Sequence, residues 1–201
     1  MAVIGDPVAN LLASIRKCTF CEGLALGPRP IVQMHRDARI LIAGQAPGQI
    51  THHKGIPFDD PSGERLRDWL GVDRETFYDP HKFAIIPMGF CYPGKGKGGD
   101  LPPRPECAQK WRSALLATLE NIELTLVIGQ YALEWHLGDQ RAKTLTQTVA
   151  NWRQHWPQTL PLPHPSPRNM RWFKQNPWYE AEILPVLKTR VRAILAVSNR
   201  S

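Results

Sequence analysis

Four compact apolar runs alternate with amphipathic stretches along the chain. Each run is bounded by glycine, proline or polar residues, a pattern that predicts a buried strand. The runs are Ala38–Ala43, Phe83–Met88, Leu124–Ile128 and Leu160–Leu162. We expect the second strand to end at Pro87 or to bulge there, because proline has no N–H to donate to a sheet.

Apolar positions at helical spacing fall between these runs. They predict the end of a short helix at 11–17 and further helices at 61–70, 106–119, 130–137 and 178–195, with Ser62 as an N-cap. Alternation of strands and helices predicts an α/β fold, a three-layer αβα sandwich around a four-stranded, mostly parallel sheet. The 201 residues, 42% of them hydrophobic, suit one domain over residues 1–201.

Three loops leave the carboxyl ends of the predicted strands, at 44–58, 89–105 and 164–169. Ligands of open parallel sheets bind beyond these ends. We therefore expect the three loops to converge on one crevice.

The chain is basic, with a formal net charge of +7 and a pI of about 9.5. This charge favours an anionic partner, nucleic acid before an acidic membrane surface. The sequence contains no apolar run long enough to span a membrane and no signal-peptide pattern. We therefore expect a cytoplasmic protein that is not bound to membranes, and a monomer.

The four cysteines form a pattern typical of a metal site. Cys18 and Cys21 make a CxxC pair, and fifteen residues separate Cys91 from Cys107. In a reducing compartment such cysteines are metal ligands or free thiols rather than disulfides. Four thiolates suit an iron–sulfur cluster or a structural zinc ion, and spacing alone does not separate the two.

Two further motifs follow predicted strands, GQAPG at 44–48 and HPS at 164–166. Their order and strand context, together with the cysteine spacing, resemble the uracil-DNA glycosylase superfamily, and most of all its iron–sulfur branch, family 4. The resemblance implies a [4Fe–4S] cluster with a structural role in preference to zinc. It also implies a DNA glycosylase that flips a deaminated base such as uracil out of DNA and hydrolyses its N-glycosidic bond in base excision repair.

The resemblance assigns roles to residues of both motifs. His164 corresponds to the histidine that donates to an oxygen of the departing base, which stabilises developing negative charge. Phe58 corresponds to the aromatic on which the flipped base stacks. The remaining substrate contacts would come from Gly44, Ala46, Pro47, Gly48 and Ser166.

The chain differs from the iron–sulfur branch at the residue that would activate the attacking water. That branch carries Glu where this chain has Gln45, and other branches carry Asp or Asn where this chain has Ala46. Gln45 can orient a water molecule but cannot act as a base. Asp60 matches an Asp of a further branch, so we favour it over Asp59, although either can simply cap the following helix.

A second departure concerns reading of the base. The iron–sulfur branch has Asn at the position of Pro87, which offers no side-chain hydrogen bond. We therefore expect backbone groups of Met88 and Gly89 to contact the base instead.

The segment HPSPRN at 164–169 resembles the single-strand-selective branch. By that resemblance, Met170 or Trp172 would fill the vacated base stack, as apolar wedges do. Contacts to the DNA backbone are expected from basic and amide side chains. These are Lys95, Lys97, Arg168, Asn169 and Arg171.

Two alternatives to an active glycosylase remain at this stage. The first is a catalytically inactive member of the superfamily that binds DNA and senses damage, which Gln45 and Ala46 favour. The second is a small-molecule hydrolase on the same fold, because a fold does not determine a function.

Overall fold

The computed structural model describes residues 7–197. Its main sheet confirms the predicted α/β class, because four parallel strands occur at the four apolar runs. The strands are β1 Ile40–Ala43, β2 Phe83–Ile85, β3 Lys95–Gly96, β4 Gly99–Asp100, β5 Leu124–Ile128 and β6 Thr159–Leu162. Strands β3 and β4 form a separate antiparallel hairpin.

Helices occupy the segments between the strands. The α-helices are α1 Pro7–Arg16, α2 Gln49–Lys54, α3 Pro61–Leu70, α4 Arg74–Tyr78, α5 Pro105–Cys107, α6 Ser113–Leu116, α7 Gln130–Leu137, α8 Leu145–Ala150, α9 Met170–Gln175 and α10 Leu184–Val197. Two π-helical segments, Ala108–Arg112 and Tyr179–Ile183, precede α6 and α10. Three 3₁₀ turns lie at Gly138–Gln140, Trp152–Gln154 and Pro167–Asn169.

The main sheet has the strand order β2-β1-β5-β6, and all of its pairs are parallel. Side chains alternate between its two faces. Ile40 and Ile42 pack on one face against α3 and α10. Leu41 packs on the other face against α1. Helices therefore cover both faces, which gives the three-layer sandwich.

Several predicted boundaries were wrong. The second strand ends at Ile85, before Pro87, yet the N–H groups of Ile86 and Met88 still donate to Ile42 and Gly44 at 3.0 and 2.9 Å. The predicted loop at 89–105 contains the β3–β4 hairpin, since glycines on either side of the lysines allow a tight turn. The N-cap of α3 is Asp60, not Ser62, because the Asp60 carboxylate accepts the Gly63 N–H.

Within residues 7–197, none of the helices combines the length and the apolar character that crossing a membrane requires.

Candidate active site

A cleft of about 560 Å³ opens at the carboxyl ends of the parallel strands. Residues of all three predicted loops line it, so their expected convergence is confirmed. The site residues predicted from the sequence that line it are Gly44, Gln45, Ala46, Pro47, Gly48, Phe58, Asp60, Lys95, His164, Ser166, Arg168 and Asn169. The first and last motifs of the sequence thus face each other across one cavity.

Hydrogen bonds of the loop after β6 determine the protonation of His164. The Ser166 N–H donates to Nδ1 of His164 at 3.2 Å, and the Asn169 side-chain amide donates to the His164 carbonyl at 2.8 Å. Because Nδ1 is an acceptor, the neutral ring carries its proton on Nε2. Burial lowers the pKa of His164, and the nearby carboxylates of Asp60 and Asp100 oppose that shift. His164 therefore lines the cleft as a neutral ring whose N–H donor is at Nε2.

Phe58 adopts a backbone conformation that is rare for a side chain of its size. Its φ is +54°, a left-handed value. The ring packs edge-to-face on Phe77 with centroids 6.4 Å apart and lies close to Gly44, where an added Cβ would be 3.3 Å from its Cζ. Strained conformations of this kind persist where the surrounding contacts hold them, often at functional sites.

The two candidate carboxylates have different surroundings. Asp59 forms ion pairs with Arg74 at 2.6 Å and Lys54 at 3.4 Å, and hydrogen bonding from Arg74 lowers its pKa. Asp60 lines the cleft, and its Oδ1 accepts the Gly63 N–H at 2.8 Å. The helix cap therefore uses one oxygen of Asp60 and leaves Oδ2 for a partner in the cleft.

Of the backbone groups expected to read the base, the N–H groups after β2 are already paired. The N–H groups of Met88 and Gly89 donate to the carbonyls of Gly44 and Gln45, both at 2.9 Å. Met88 is buried among Ala43 and Val127, away from the cleft. Pro87 lines the cleft itself. Since their N–H groups are already paired, Met88 and Gly89 cannot donate a hydrogen bond to a base.

Asp100 is a cleft residue that the sequence reasoning missed. It lies in β4, lines the cleft, and acts electrostatically on His164. Its Oδ2 would be 3.7 Å from a Cβ added to Gly48, which places it beside the first motif. The glycines around Lys95 and Lys97 are typical of a hairpin, a signal that could have pointed to Asp100 on its second strand.

Arg112 was also missed, because its position inside a helix suggests an exposed side chain. It is fully buried and donates to the carbonyls of Ile86 and, at 3.0 Å, Pro87. Its other amino group lies 2.6 Å from Nε2 of His136. Burial lowers the pKa of Arg112 to about 10 and that of His136 to about 3, so Arg112 stays charged and neutral His136 accepts. Arg112 thus anchors the floor of the cleft at Pro87.

The predicted DNA contacts divide into two sets. Lys95 and Arg168 line the cleft, and the Arg168 guanidinium would lie 3.1 Å from a Cβ added to Gly99. Asn169 also lines it but uses its side-chain amide within the loop. Lys97 and Arg171 are exposed and do not line the cleft. The exposed side chains of Lys97 and Arg171 are thus accessible to the phosphates of a DNA strand bound over the edge of the cleft.

The two wedge candidates differ in availability. Met170 is 42% exposed, and its sulfur lies 2.9 Å from the guanidinium of Arg65. Trp172 donates its indole N–H to Thr146 at 2.8 Å and packs against Phe173 and Trp178. Trp172 is therefore the less available of the two candidates, because its indole already contacts Thr146 and two neighbouring aromatic rings.

The thiols of Cys91 and Cys107, which precede and follow the β3–β4 hairpin in the sequence, both interact electrostatically with those of Cys18 and Cys21. The thiol of Cys107 is within electrostatic range of those of Cys18, Cys21 and Cys91. Two backbone N–H groups point at sulfur, that of Phe90 at Cys107 at 3.5 Å and that of Arg29 at Cys91. Burial raises the pKa of Cys91 to about 11 and that of Cys107 to about 12. A positively charged metal group at this place would favour the thiolates.

A family model described as the uracil DNA glycosylase superfamily matches residues 32–188 of the chain. Among solved structures, the chain is similar to a solution NMR structure from Methanosarcina acetivorans that is provisionally described as a uracil DNA glycosylase. The sequence identity is 16% and the TM-score is 0.47, over 80% of this chain and 98% of that chain. Because the family model spans most of the sequence, the chain belongs to the uracil DNA glycosylase superfamily.

Proposed function

We propose that the protein is a monofunctional DNA glycosylase that extrudes a damaged base into the cleft and hydrolyses its N-glycosidic bond. One observation supports this most directly. Phe58 and His164 line the same cleft, so a stacking surface and a neutral N–H donor are available to one planar ligand. Base-flipping enzymes bind the extruded base by these two kinds of contact.

Cleavage of the N-glycosidic bond places negative charge on the departing base and positive charge on the sugar. The Nε2–H of His164 would stabilise the first charge when it donates to a base oxygen. A carboxylate would stabilise the second or activate water. Asp60 and Asp100 both line the cleft and both act electrostatically on His164. Gln45, on the same wall, would orient the attacking water.

The proposal is tested by incubating the full chain with oligonucleotides that contain uracil, hypoxanthine, xanthine or an oxidised pyrimidine. Free base should be released from at least one of them, in single- or double-stranded form, by the wild-type protein. The panel is needed because Pro87 and the paired N–H groups of Met88 and Gly89 leave the base reader undefined.

A catalytically inactive DNA-binding protein is the second candidate, and the first motif favours it. Gln45 and Ala46 both line the cleft, and neither can act as a base. This candidate predicts DNA binding whose logarithmic affinity falls linearly with the logarithm of salt concentration, without release of any base. The same oligonucleotide panel, measured for binding and for release, separates the two functions.

The two cleft carboxylates can be separated by isosteric substitution. Asp60→Asn keeps the helix cap, since asparagine caps as well as aspartate, but removes the negative charge. We expect base release to fall by about 10²-fold or more in whichever of Asp60→Asn and Asp100→Asn removes the essential carboxylate. Asp59→Asn is the matched control and should retain activity. Full activity in both cleft variants would contradict a catalytic carboxylate at either position.

We further propose that Cys18, Cys21, Cys91 and Cys107 hold a [4Fe–4S] cluster. Three of the four cysteines are buried, and N–H groups of Arg29 and Phe90 point at two of the sulfurs. Hydrogen bonds to sulfur of this kind tune iron–sulfur clusters. The cluster would supply structure: it would join the N-terminal segment to the root of the hairpin that carries Lys95 and Asp100 into the cleft.

Cys91→Ser should therefore abolish bound iron and the visible absorption of the purified protein. It should also lower the melting temperature, because the hairpin loses its attachment to the N-terminal segment. Iron and zinc per chain are measured by elemental analysis, with Asp60→Asn as a control that keeps its metal. Zinc without iron in the wild-type protein would remove the cluster proposal and leave the glycosylase proposal intact.

A further inference from the structure

Two histidines and a carboxylate meet at the edge of the main sheet opposite to the cleft. Nδ1 of His35 lies 3.2 Å from Oδ2 of Asp37, and Nδ1 of His81 lies 3.6 Å from the same oxygen. One potential ligand atom of each residue lies within 4.8 Å of the other two. The two imidazole rings stack with centroids 3.8 Å apart and planes 34° apart. One potential ligand atom of each of the three residues is therefore close to those of the other two.

These distances suit the coordination sphere of a small divalent ion. Zinc binds imidazole nitrogen and carboxylate oxygen at about 2.0–2.2 Å, so neighbouring ligands of a tetrahedral site are about 3.3–3.5 Å apart. The two measured separations, 3.2 and 3.6 Å, bracket this value. Three protein ligands would form one face of a tetrahedron and leave the fourth position to water.

The protonation and exposure of the cluster also favour a metal ion. Nδ1 of His35 accepts the Asp37 N–H at 3.3 Å, so its lone pair points away from the ring proton and is held by one long hydrogen bond that a metal ion would replace. The side chains of Asp37 and His81 are 57% and 58% exposed, so an ion can enter from solvent without unfolding. The His81 N–H donates to Asp79 at 3.0 Å, which holds the turn that presents the imidazole.

We propose that His35, Asp37 and His81 form a binding site for a divalent transition-metal ion of the zinc class. Imidazole selects such ions, whereas magnesium and calcium prefer shells made of oxygen. His35 and Asp37 directly precede β1, and His81 directly precedes β2, its neighbour in the sheet. A bound ion joins these two turns and stabilises the folded state, independently of any chemistry in the cleft.

The test is titration of the full-length protein with zinc chloride, followed by calorimetry and by thermal unfolding. An ion that binds only the folded state raises the melting temperature as its concentration rises. His81→Asn and His35→Asn should each weaken the zinc binding by about tenfold or more and remove the rise, since each deletes a direct ligand. Magnesium chloride should leave the melting temperature of the wild-type protein unchanged.

His155→Asn is the matched control, because His155 also precedes a strand at this edge of the sheet but lies outside the cluster. It should bind zinc as the wild-type protein does. Zinc held by cysteine thiolates is identified by its loss in Cys91→Ser and its retention in both histidine variants. The proposal is overturned if the zinc affinity and the rise in melting temperature are unchanged in His81→Asn and in His35→Asn, or if His155→Asn loses both.

Discussion

His164→Ala should slow release of the base by about 10²–10³-fold, the usual cost of removing one donor to a developing oxyanion. The substituted side chain loses the Nε2–H that the Ser166 N–H holds in place through Nδ1. DNA affinity should change little, because the phosphate contacts proposed for exposed basic side chains such as Lys97 and Arg171 do not involve the imidazole. Single-turnover release from the best substrate of the panel, together with DNA binding, measures both effects.

The control for this variant is His155→Ala, a histidine at the opposite end of β6 that should leave base release unchanged. A His164→Ala protein that is folded, binds DNA and releases base at the wild-type rate would contradict the role of His164 as a donor to the departing base. Equal loss of release and of binding would instead mean that the loop after β6 had been disrupted.

The pH dependence of base release follows from the same imidazole. Burial lowers the pKa of His164 below its ordinary value of 6.5, so the neutral form persists at and somewhat below that pH. Protonation of Nδ1 would break the hydrogen bond from Ser166, so release should be constant from pH 8 to 6.5 and fall only in more acidic solution. The free energy of unfolding should also fall as the pH drops below 6.5, because the unfolded state then binds a proton at His164 more readily than the folded state does.

Gly63→Ala should destabilise the protein by about 3 kcal/mol or more, at or beyond the upper end of overpacking effects. A Cβ at this position would lie 1.7 Å from the carbonyl oxygen of Phe58, a backbone atom that cannot rotate away. Relief requires the Phe58–Asp60 turn to move, which breaks the cap from Gly63 N–H to Asp60. We therefore expect loss of base release even where the variant is still folded.

Denaturant unfolding measures the first effect, and base release at a temperature below the transition measures the second. Gly98→Ala is the matched control, since a Cβ added there meets no atom within 4 Å and its φ is not left-handed. It should unfold like the wild-type protein. If Gly63→Ala also unfolds at the wild-type denaturant concentration, the close approach of α3 to the Phe58 turn does not exist.

Local sequence patterns were sufficient to predict the order of the main strands and the fold class. Apolar runs such as Leu124–Ile128 indicated the strands because a parallel strand buried on both faces needs continuous apolar side chains. The order of the GQAPG and HPS motifs along the chain indicated which loops to compare. Convergence of these loops followed from topology alone, because the carboxyl ends of parallel strands share one edge of the sheet.

Roles that depend on a partner distant in sequence were harder to predict. Trp172 has the large apolar side chain that could fill a vacated base stack, yet its indole N–H donates to Thr146. Backbone groups of Met88 and Gly89 were expected to contact the base, but their N–H groups donate to Gly44 and Gln45, where the hydrogen bonding between the β1 and β2 segments continues past Ile85. No local pattern reports which donor is already occupied by another segment.

The sequence by itself thus determined the order of the four main strands, the superfamily and the two motifs, GQAPG and HPS, that line the cleft. Only the tertiary structure decided which carboxylates reach that cleft: Asp60 and Asp100 line it, while Asp59 is held by Arg74. The physical reason is the distance along the chain over which each effect acts. Periodicity and capping act over a few residues, whereas the position of a side chain relative to His164 depends on sheet order and on turns that bring remote segments together.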